Sequence, residues 1–168
     1  LDRSLRAAPS HPLLGSGSLH ASLIAGGQEL SSYPERCLLN VERRTVPGET
    51  RERVEAQIQS LLDQIAATDP QFKAAMKTMM VQGPFEVSEE EAIFQTLLRQ
   101  ATRLPGDEPG IGGSFGWMDS ALLAEAGIPT VIFGPGGAGA HAVVEWSDLA
   151  QLQRCADILV ATMEEFCA

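Results

Sequence analysis

The sequence predicts a mixed α/β chain built from two modules. Apolar and polar residues alternate from Ser18 to Ala25 and again from Cys37 to Arg44, a period typical of half-buried strands. Further along, helical patterns lie on both sides of the apolar run Thr130 to Phe133. That helix–strand–helix order is typical of an α/β layer, so we predict strands covered by helices in both halves.

In the first module, Gly26-Gly27 predicts a turn between two antiparallel strands. After a break at Thr45 to Gly48, apolar residues at helical spacing predict a helix from about Thr50 to Ala67 that covers the sheet. The run from Phe72 to Gln82 predicts a further strand of the same sheet. Because Gly83-Pro84 ends that strand and the pattern then changes, we place a boundary between residues 1–83 and 84–168.

The second module is predicted to begin with a helix capped by Ser88, because Glu91 lies three residues further on and completes a capping box. The segment Leu104 to Gly116 contains five glycines and is predicted to be a loop. A helix from Met118 to Ala126 should end at Gly127 and lead into the buried strand Thr130 to Phe133.

The last helix is predicted to begin at a Ser147 cap. Its buried face is predicted from residues that recur every three or four positions. These residues are Leu149, Leu152, Ala156, Leu159, Met163 and Phe166.

Composition excludes several classes of protein. A hydrophobic content of 44% over 168 residues allows a sizeable core, and a net charge of −10 spread along the chain argues against a nucleic-acid partner. No apolar run approaches the roughly 20 residues of a membrane span. The three cysteines, Cys37, Cys155 and Cys167, are widely spaced and odd in number, which favours structural thiols in a reduced compartment. We therefore expect a soluble, cytoplasmic protein.

The glycine-rich stretch from Gly134 to Gly139 matches G-x-G-x-x-G, but no helical pattern begins there and Pro135 lies in the turn. A flexible site loop is the better interpretation than a dinucleotide site. His141 follows directly, where small residues would let a metal or substrate approach the backbone. From the residues alone, His141 is either a metal ligand or a hydrogen-bonded structural histidine.

Several motifs together resemble a known family. The stretch Gly127 to Gly136, followed by Ala140-His141 and Glu145-Trp146, resembles the closing signature of the zinc-dependent acetylornithine deacetylase, aminoacylase and carboxypeptidase G-like metallohydrolases. Gly26-Gly27, Tyr33 to Cys37 and Arg44 to Thr50 are similar to that family's lid, in the same order, and Trp117 to Leu123 also matches. The resemblance spans nearly all of the chain.

This resemblance implies a fold and an activity. Residues 1–83 would be most of an α+β lid, or dimerisation, domain whose N-terminal part is missing, and residues 84–168 the C-terminal portion of an α/β catalytic domain. The complete enzyme would be a homodimer with two zinc ions that hydrolyses an N-acyl amino acid or a small peptide. In such enzymes a glutamate deprotonates a metal-bridging water, which attacks the amide carbonyl.

The same resemblance implies roles for individual residues. His141 matches a zinc ligand, whereas the general-base glutamate and the other ligands are expected upstream of Leu1, so no catalytic residue is expected in this chain and the chain alone should be inactive. Arg44 matches the lid arginine that holds the substrate carboxylate, and the alternative is a solvated arginine at a strand end. Asp119 and Ser31 match substrate-binding positions, with Ser31 replacing the family's usual asparagine. His11 and His20 match no functional histidine.

Two other functions stay open. The segment could be a non-catalytic dimerisation or interaction module that pairs through the exposed edge of its lid sheet. Alternatively, it could be one half of a split enzyme whose missing metal ligands come from a separate polypeptide.

Overall fold

The structure is a computed structural model that describes residues 1–106 and 108–168. It separates into two compact units, Leu1–Pro84 with Gly112–Trp117, and Phe85–Ile111 with Met118–Ala168. Helices and strands occur in both units, in agreement with a mixed α/β chain. The assignment of the two halves as lid and catalytic segment stays a prediction.

The first unit is organised around a two-stranded antiparallel sheet. A short helix, α1 (Asp2–Arg6), precedes strands β1 (Ser18–Gly26) and β2 (Cys37–Arg44). The register places Gly26 opposite Cys37 and Ser18 opposite Arg44, with an irregularity between Ala21 and Leu23. The predicted antiparallel pair is therefore confirmed, and Arg44 lies at the end of the sheet away from the β1–β2 connection.

A long helix follows the sheet at the predicted place. Helix α2 (Arg51–Thr68) begins after Thr50, whose hydroxyl accepts a hydrogen bond from the Arg53 amide at 3.3 Å. The helix itself is confirmed, but its predicted role as a cover for the sheet is not seen. No residue of α2 is buried, and Leu61 and Ile65 are 39% and 38% exposed.

The predicted strand from Phe72 to Gln82 is wrong. The sheet contains only β1 and β2 among the described residues, and no ladder hydrogen bonds join this segment to it. Met79 and Met80 are 82% and 75% exposed, and the Thr78 hydroxyl is bonded to Glu55 of α2 instead. An apolar run becomes a strand only where a neighbouring edge accepts its backbone groups, and composition alone does not show that edge.

The second unit is built on two helices, α3 (Ala92–Arg103) and α5 (Leu149–Phe166). Leu97, Ala101 and Ile158 form its buried core, against which Leu104, Val131 and Phe133 pack. A shorter helix, α4 (Ser120–Glu125), lies within the predicted range 118–126 and is followed by Gly127 at φ +79°. None of the described helices combines the length and apolar content needed to span a bilayer.

The predicted buried strand from Thr130 to Phe133 is also wrong. No described strand pairs with this segment. Val131 and Phe133 pack on the core whereas Ile132 is 50% exposed, so an alternation of faces persists without a sheet. A central strand needs neighbours on both edges, and no described strand is hydrogen-bonded to either edge of this segment.

Helix α5 buries a different face from the predicted one. Its buried residues are Cys155, Ile158 and Thr162, whereas the members of the predicted stripe are exposed. The helix has apolar residues on two adjacent faces, so periodicity cannot decide between them. The face that is buried includes Thr162, whose hydroxyl donates to the Ile158 carbonyl at 2.7 Å and is therefore satisfied in the interior.

Polar contacts on both sides of Ile158 fix this face of α5 against α3. Arg154 Nη2 donates to the carbonyls of Ala101 at 2.8 Å and Leu104 at 3.3 Å, which satisfies acceptors at the end of α3. Glu165 accepts from Arg99 Nε at 2.9 Å and also from Gln100. These contacts set the rotation of α5, which its apolar residues leave ambiguous.

Two predicted helix caps are shifted. Helix α3 starts after Glu91 without a side-chain cap, and Ser88 forms a local turn in which its hydroxyl accepts from the Glu90 amide at 3.1 Å. Asp148 caps α5 by accepting from the Gln151 amide at 2.8 Å, whereas Ser147 belongs to a strand. The predicted capping box and the Ser147 cap are therefore wrong. The reason is local competition, since serine bonds a nearby amide in turns as readily as in caps.

The observed buried face of α5 predicts different effects on stability at the adjacent residues Ile158 and Leu159. Ile158 is 1% exposed and Leu159 is 40% exposed. Ile158→Ala should lower the free energy of unfolding by about 2–5 kcal/mol because it leaves a cavity, and Leu159→Ala by under about 1 kcal/mol. Urea denaturation of the two variants measures both values. Equal losses, or a larger loss for Leu159→Ala, would restore the face predicted from periodicity.

The Glu165 contacts predict a dependence of stability on acid. Hydrogen bonds from Arg99 and then Gln100 hold the pKa of Glu165 below its usual range. The stabilisation that the Glu165 carboxylate gives to the folded chain is therefore fully present above the pKa of this group in the unfolded state. It is lost as the pH falls through the pKa of the group in the folded state. The difference in Tm between the native chain and Glu165→Gln should therefore become smaller as the pH is lowered from about 7 to about 3. Glu164→Gln is the control, and a difference that is independent of pH would contradict the assignment.

Candidate functional site

The glycine-rich segment forms a small hairpin. Strand β3 (Gly137–Ala138) pairs antiparallel with β4 (Trp146–Ser147), and residues 139–145 connect them. A dinucleotide site of the G-x-G-x-x-G type requires a helix N-terminus after the glycines. Here the chain turns back on itself, in agreement with a loop that presents side chains.

Glycines are required for the close approach of the two sides of this hairpin. Gly139 adopts φ +79°, and a β-carbon on it would lie 2.0 Å from the Val144 carbonyl oxygen. A β-carbon on Gly137 would lie 2.3 Å from the Trp146 carbonyl oxygen. Since real β-carbons do not approach backbone atoms so closely, larger residues would open the hairpin.

His141 lies in the turn of this hairpin with a φ of 63°, and it is the one non-glycine residue with positive φ among the described residues. The turn is closed by a hydrogen bond from the Ala142 amide to the Gly139 carbonyl at 2.7 Å. Residues held in such sparsely populated backbone regions cluster at functional sites. The imidazole is exposed, so it is accessible to a metal or a substrate.

His141 fits one position in a metal site. A neutral imidazole is a common zinc ligand, and zinc sites take at least three protein ligands. Within residues 1–106 and 108–168, no group of three or more His, Cys, Asp or Glu side chains could hold a metal ion. The described residues therefore contain a candidate ligand and not a complete metal site.

Arg44 lies at the end of β2 with its side chain 40% exposed. Its Nη1 donates to the Phe115 carbonyl and its Nε to Glu42 Oε2, both at 3.3 Å. Such exposed ion pairs contribute little to stability. The guanidinium is thus oriented by its neighbours and still accessible to a ligand.

A polar network on the same sheet surrounds Arg44. His20 lies opposite Glu42 in the sheet register, and its Nδ1 is 3.2 Å from the Glu42 Oε2 that also accepts from Arg44. The other ring nitrogen is 3.3 Å from the Ser18 hydroxyl. The His20 side chain is 42% exposed, so His20 lies at the surface of strand β1.

Ser31 lies at the other end of the sheet. It belongs to the exposed β1–β2 connection, where hydrogen bonds from Ser32 and then Ser31 lower the pKa of Glu29. The strand from Cys37 to Arg44 separates this connection from the guanidinium by about 20 Å at a rise of about 3.3 Å per residue. One small molecule cannot contact Ser31 and Arg44 of the same chain.

Asp119 is the residue before α4. It is exposed, and its backbone carbonyl accepts from the Leu122 amide at 2.9 Å, whereas its side chain makes no cap hydrogen bond. Its carboxylate is therefore accessible for other contacts.

Arg43 and Glu49 were not among the predicted site residues. Their side chains are 7% and 14% exposed and form an ion pair beside Arg44. The alternation of the strand could have indicated this difference. Adjacent residues of a strand point to opposite faces, so Arg43 and Arg44 cannot both lie on the solvent-exposed face.

The sequence profile of Peptidase family M20/M25/M40 matches residues 14–165, and the chain therefore belongs to this family. Its relatives include amide hydrolases, and the family is generally metal-dependent. The predicted resemblance to the acetylornithine deacetylase family is confirmed.

Three curated relatives are similar to the chain. An N-formyl-4-amino-5-aminomethyl-2-methylpyrimidine deformylase of Halalkalibacterium halodurans is 27% identical over 96% of the chain and 41% of the relative. The deformylase of the same name from Bacillus subtilis is 25% identical over 92% and 39%. An acetylornithine deacetylase of Myxococcus xanthus is 24% identical over 89% and 38%. The chain spans about two fifths of the length of these relatives.

Proposed function

We propose that this chain is part of a metal-dependent hydrolase that cleaves the amide bond of an N-acyl amino acid or a small peptide. The proposal rests on His141, which lies in the stretch that resembles the family's closing signature and adopts the positive φ described above. The similarity to an acetylornithine deacetylase supports amide cleavage. Because the chain covers about two fifths of that relative, the activity is proposed for the complete protein.

His141 would hold one of two zinc ions. Bound zinc polarises a carbonyl and lowers the pKa of its water. Because the hairpin fixes the backbone of His141, the imidazole would be available to a metal from a restricted set of positions. The remaining ligands and a general-base glutamate would come from outside the described residues, which is why we propose that the chain alone is inactive.

Arg44 would bind the substrate's carboxylate. A guanidinium presents a fork of donors that matches a carboxylate, and the contacts of Arg44 with Glu42 and Phe115 restrict its orientation. Asp119 is proposed as a further substrate contact. Ser31 can serve the same site only if a second copy of the chain supplies it, in agreement with the proposed homodimer. A cytoplasmic location stays an expectation.

A second substrate class is favoured by two of the relatives. Both deformylases are named for an N-formyl aminopyrimidine, a compound without a carboxylate. For such a substrate Arg44 would contribute ring or solvent contacts instead of an ion pair. Two alternatives stay open because the described residues do not form a complete metal site. The chain could be a non-catalytic interaction module or one half of a split enzyme.

The metal assignment predicts the effect of replacing His141 in the full-length protein. His141→Asn should remove one zinc per chain and lower kcat at least about a hundredfold, because the metal stabilises the transition state by several kcal/mol. Asparagine tolerates positive φ, so this variant separates loss of the ligand from backbone strain. Elemental analysis and an assay on an N-acetyl amino acid measure the two effects. His20→Asn is the matched control, and unchanged zinc in His141→Asn would refute the assignment.

The substrate assignment predicts a selective effect at Arg44. Arg44→Lys should raise KM about tenfold for an N-acetyl amino acid, because a point charge replaces a bidentate fork. The corresponding N-acetyl amino acid amide, which has no carboxylate, should be hydrolysed with unchanged constants. Arg51→Lys, at an exposed arginine of α2, is the control. The deformylase alternative is favoured if an N-formyl aminopyrimidine is the better substrate. In that case Arg44→Lys should change the constants neither for this compound nor for the N-acetyl amino acid.

A further inference from the structure

The side chain of Arg43 is much less exposed than that of its neighbour Arg44. Its side chain is 7% exposed, against 40% for Arg44. A buried guanidinium requires an opposite charge and hydrogen-bond acceptors, because the loss of hydration is otherwise uncompensated. Arg43 finds both within a few residues: Nη2 pairs with the Glu49 carboxylate, and Nη1 donates to the backbone carbonyl of Arg44.

Glu49 closes the turn that follows the strand. Its second carboxylate oxygen accepts from the Val46 amide at 3.0 Å, and its own amide donates to the Val46 carbonyl at 3.1 Å. Val46 is 1% exposed, so this turn is anchored in the interior of the unit. One carboxylate therefore neutralises Arg43 and fixes residues 46–49.

The backbone around Arg44 is enclosed from the opposite strand as well. Gly17 is buried, and a β-carbon on it would lie 2.2 Å from Arg43 Nη1 and 2.6 Å from the Arg44 carbonyl oxygen. Ser18, the next residue, is the sheet partner of Arg44. The peptide from which the Arg44 side chain projects is thus held by β1, by Arg43 and, through Arg43, by Glu49.

Stability alone does not account for this arrangement. The Nε of Arg43 is buried without a hydrogen-bond partner among the described residues. Buried ion pairs of this kind are often replaced by apolar residues without loss of stability, so a geometric role fits the contacts better.

We propose that Arg43 and Glu49 are a positioning pair for Arg44, an inference that rests on the proposed binding of a substrate carboxylate by Arg44. Arg43 holds the carbonyl of the peptide that carries Arg44, and Glu49 holds Arg43. The guanidinium of Arg44 therefore starts from a fixed backbone and loses less freedom when it binds a carboxylate. Carboxylate selection depends on three residues and not on Arg44 alone.

The test compares two substrates in the full-length protein. Glu49→Gln keeps the shape of the side chain and removes its charge, and Arg43→Lys keeps the charge and removes the fork. Both should raise KM for an N-acetyl amino acid about tenfold, with kcat within about twofold, because a charge-assisted hydrogen bond is weakened. Neither should change the constants for the corresponding amide. Glu52→Gln, an exposed carboxylate near the start of α2, is the matched control.

Three results would overturn the positioning role. They are unchanged constants for both substrates, equal losses on both substrates with a lower Tm, and an effect of Glu52→Gln as large as that of Glu49→Gln. If Glu49→Gln does not fold, the milder Arg43→Lys decides by the same comparison. Arg44→Lys is assayed in parallel. If it affects the N-acetyl amino acid and its amide equally, the proposed role of Arg44 is wrong. If Arg44→Lys affects only the N-acetyl amino acid and Glu49→Gln affects both substrates, only the positioning role of Arg43 and Glu49 is refuted.

Discussion

In the first unit, the largely buried side chains of Arg43 and Glu49 form an ion pair that fixes the turn after β2. Burying two charges carries a desolvation penalty of several kcal/mol per ion, so the turn around Val46 must keep the geometry that joins them. That geometry requires glycine at position 17 and fixes the last residue of β2. The exposed face of the sheet, with Ser18, His20, Glu42 and Arg44, rests on this interior contact.

In the second unit, polar contacts likewise fix the arrangement of the main elements, helices α3 and α5. Apolar residues occur on several faces of α5, and polar contacts select the face that is buried. Arg154 bonds the last carbonyls of α3, and Glu165 bonds Arg99 and Gln100. Between these contacts lies Ile158, the most buried residue of the unit's core together with Ala101. The glycine hairpin of the same unit then presents His141 with a strained backbone.

The features that the sequence predicts correctly are the local ones. Strands β1 and β2 and helix α2 have clear periods and, for α2, a threonine cap, so neighbouring residues suffice to define them. The strands predicted at 72–82 and 130–133 fail because pairing depends on an edge elsewhere in the chain. The low exposure of the Arg43 side chain was missed for a related reason. Its partner Glu49 lies beyond a turn, and the space beside Arg43 depends on Gly17, which directly precedes β1. His141 was found through its family motif, whereas its backbone strain is visible only in three dimensions.

The proposed role of His141 as a metal ligand can be tested by anomalous diffraction at the zinc absorption edge, with crystals of the full-length protein. If His141 binds the metal, a metal peak should lie about 2.0–2.1 Å from one of its ring nitrogens. Metal peaks that are coordinated entirely by other residues, with the His141 imidazole out of reach, would contradict it.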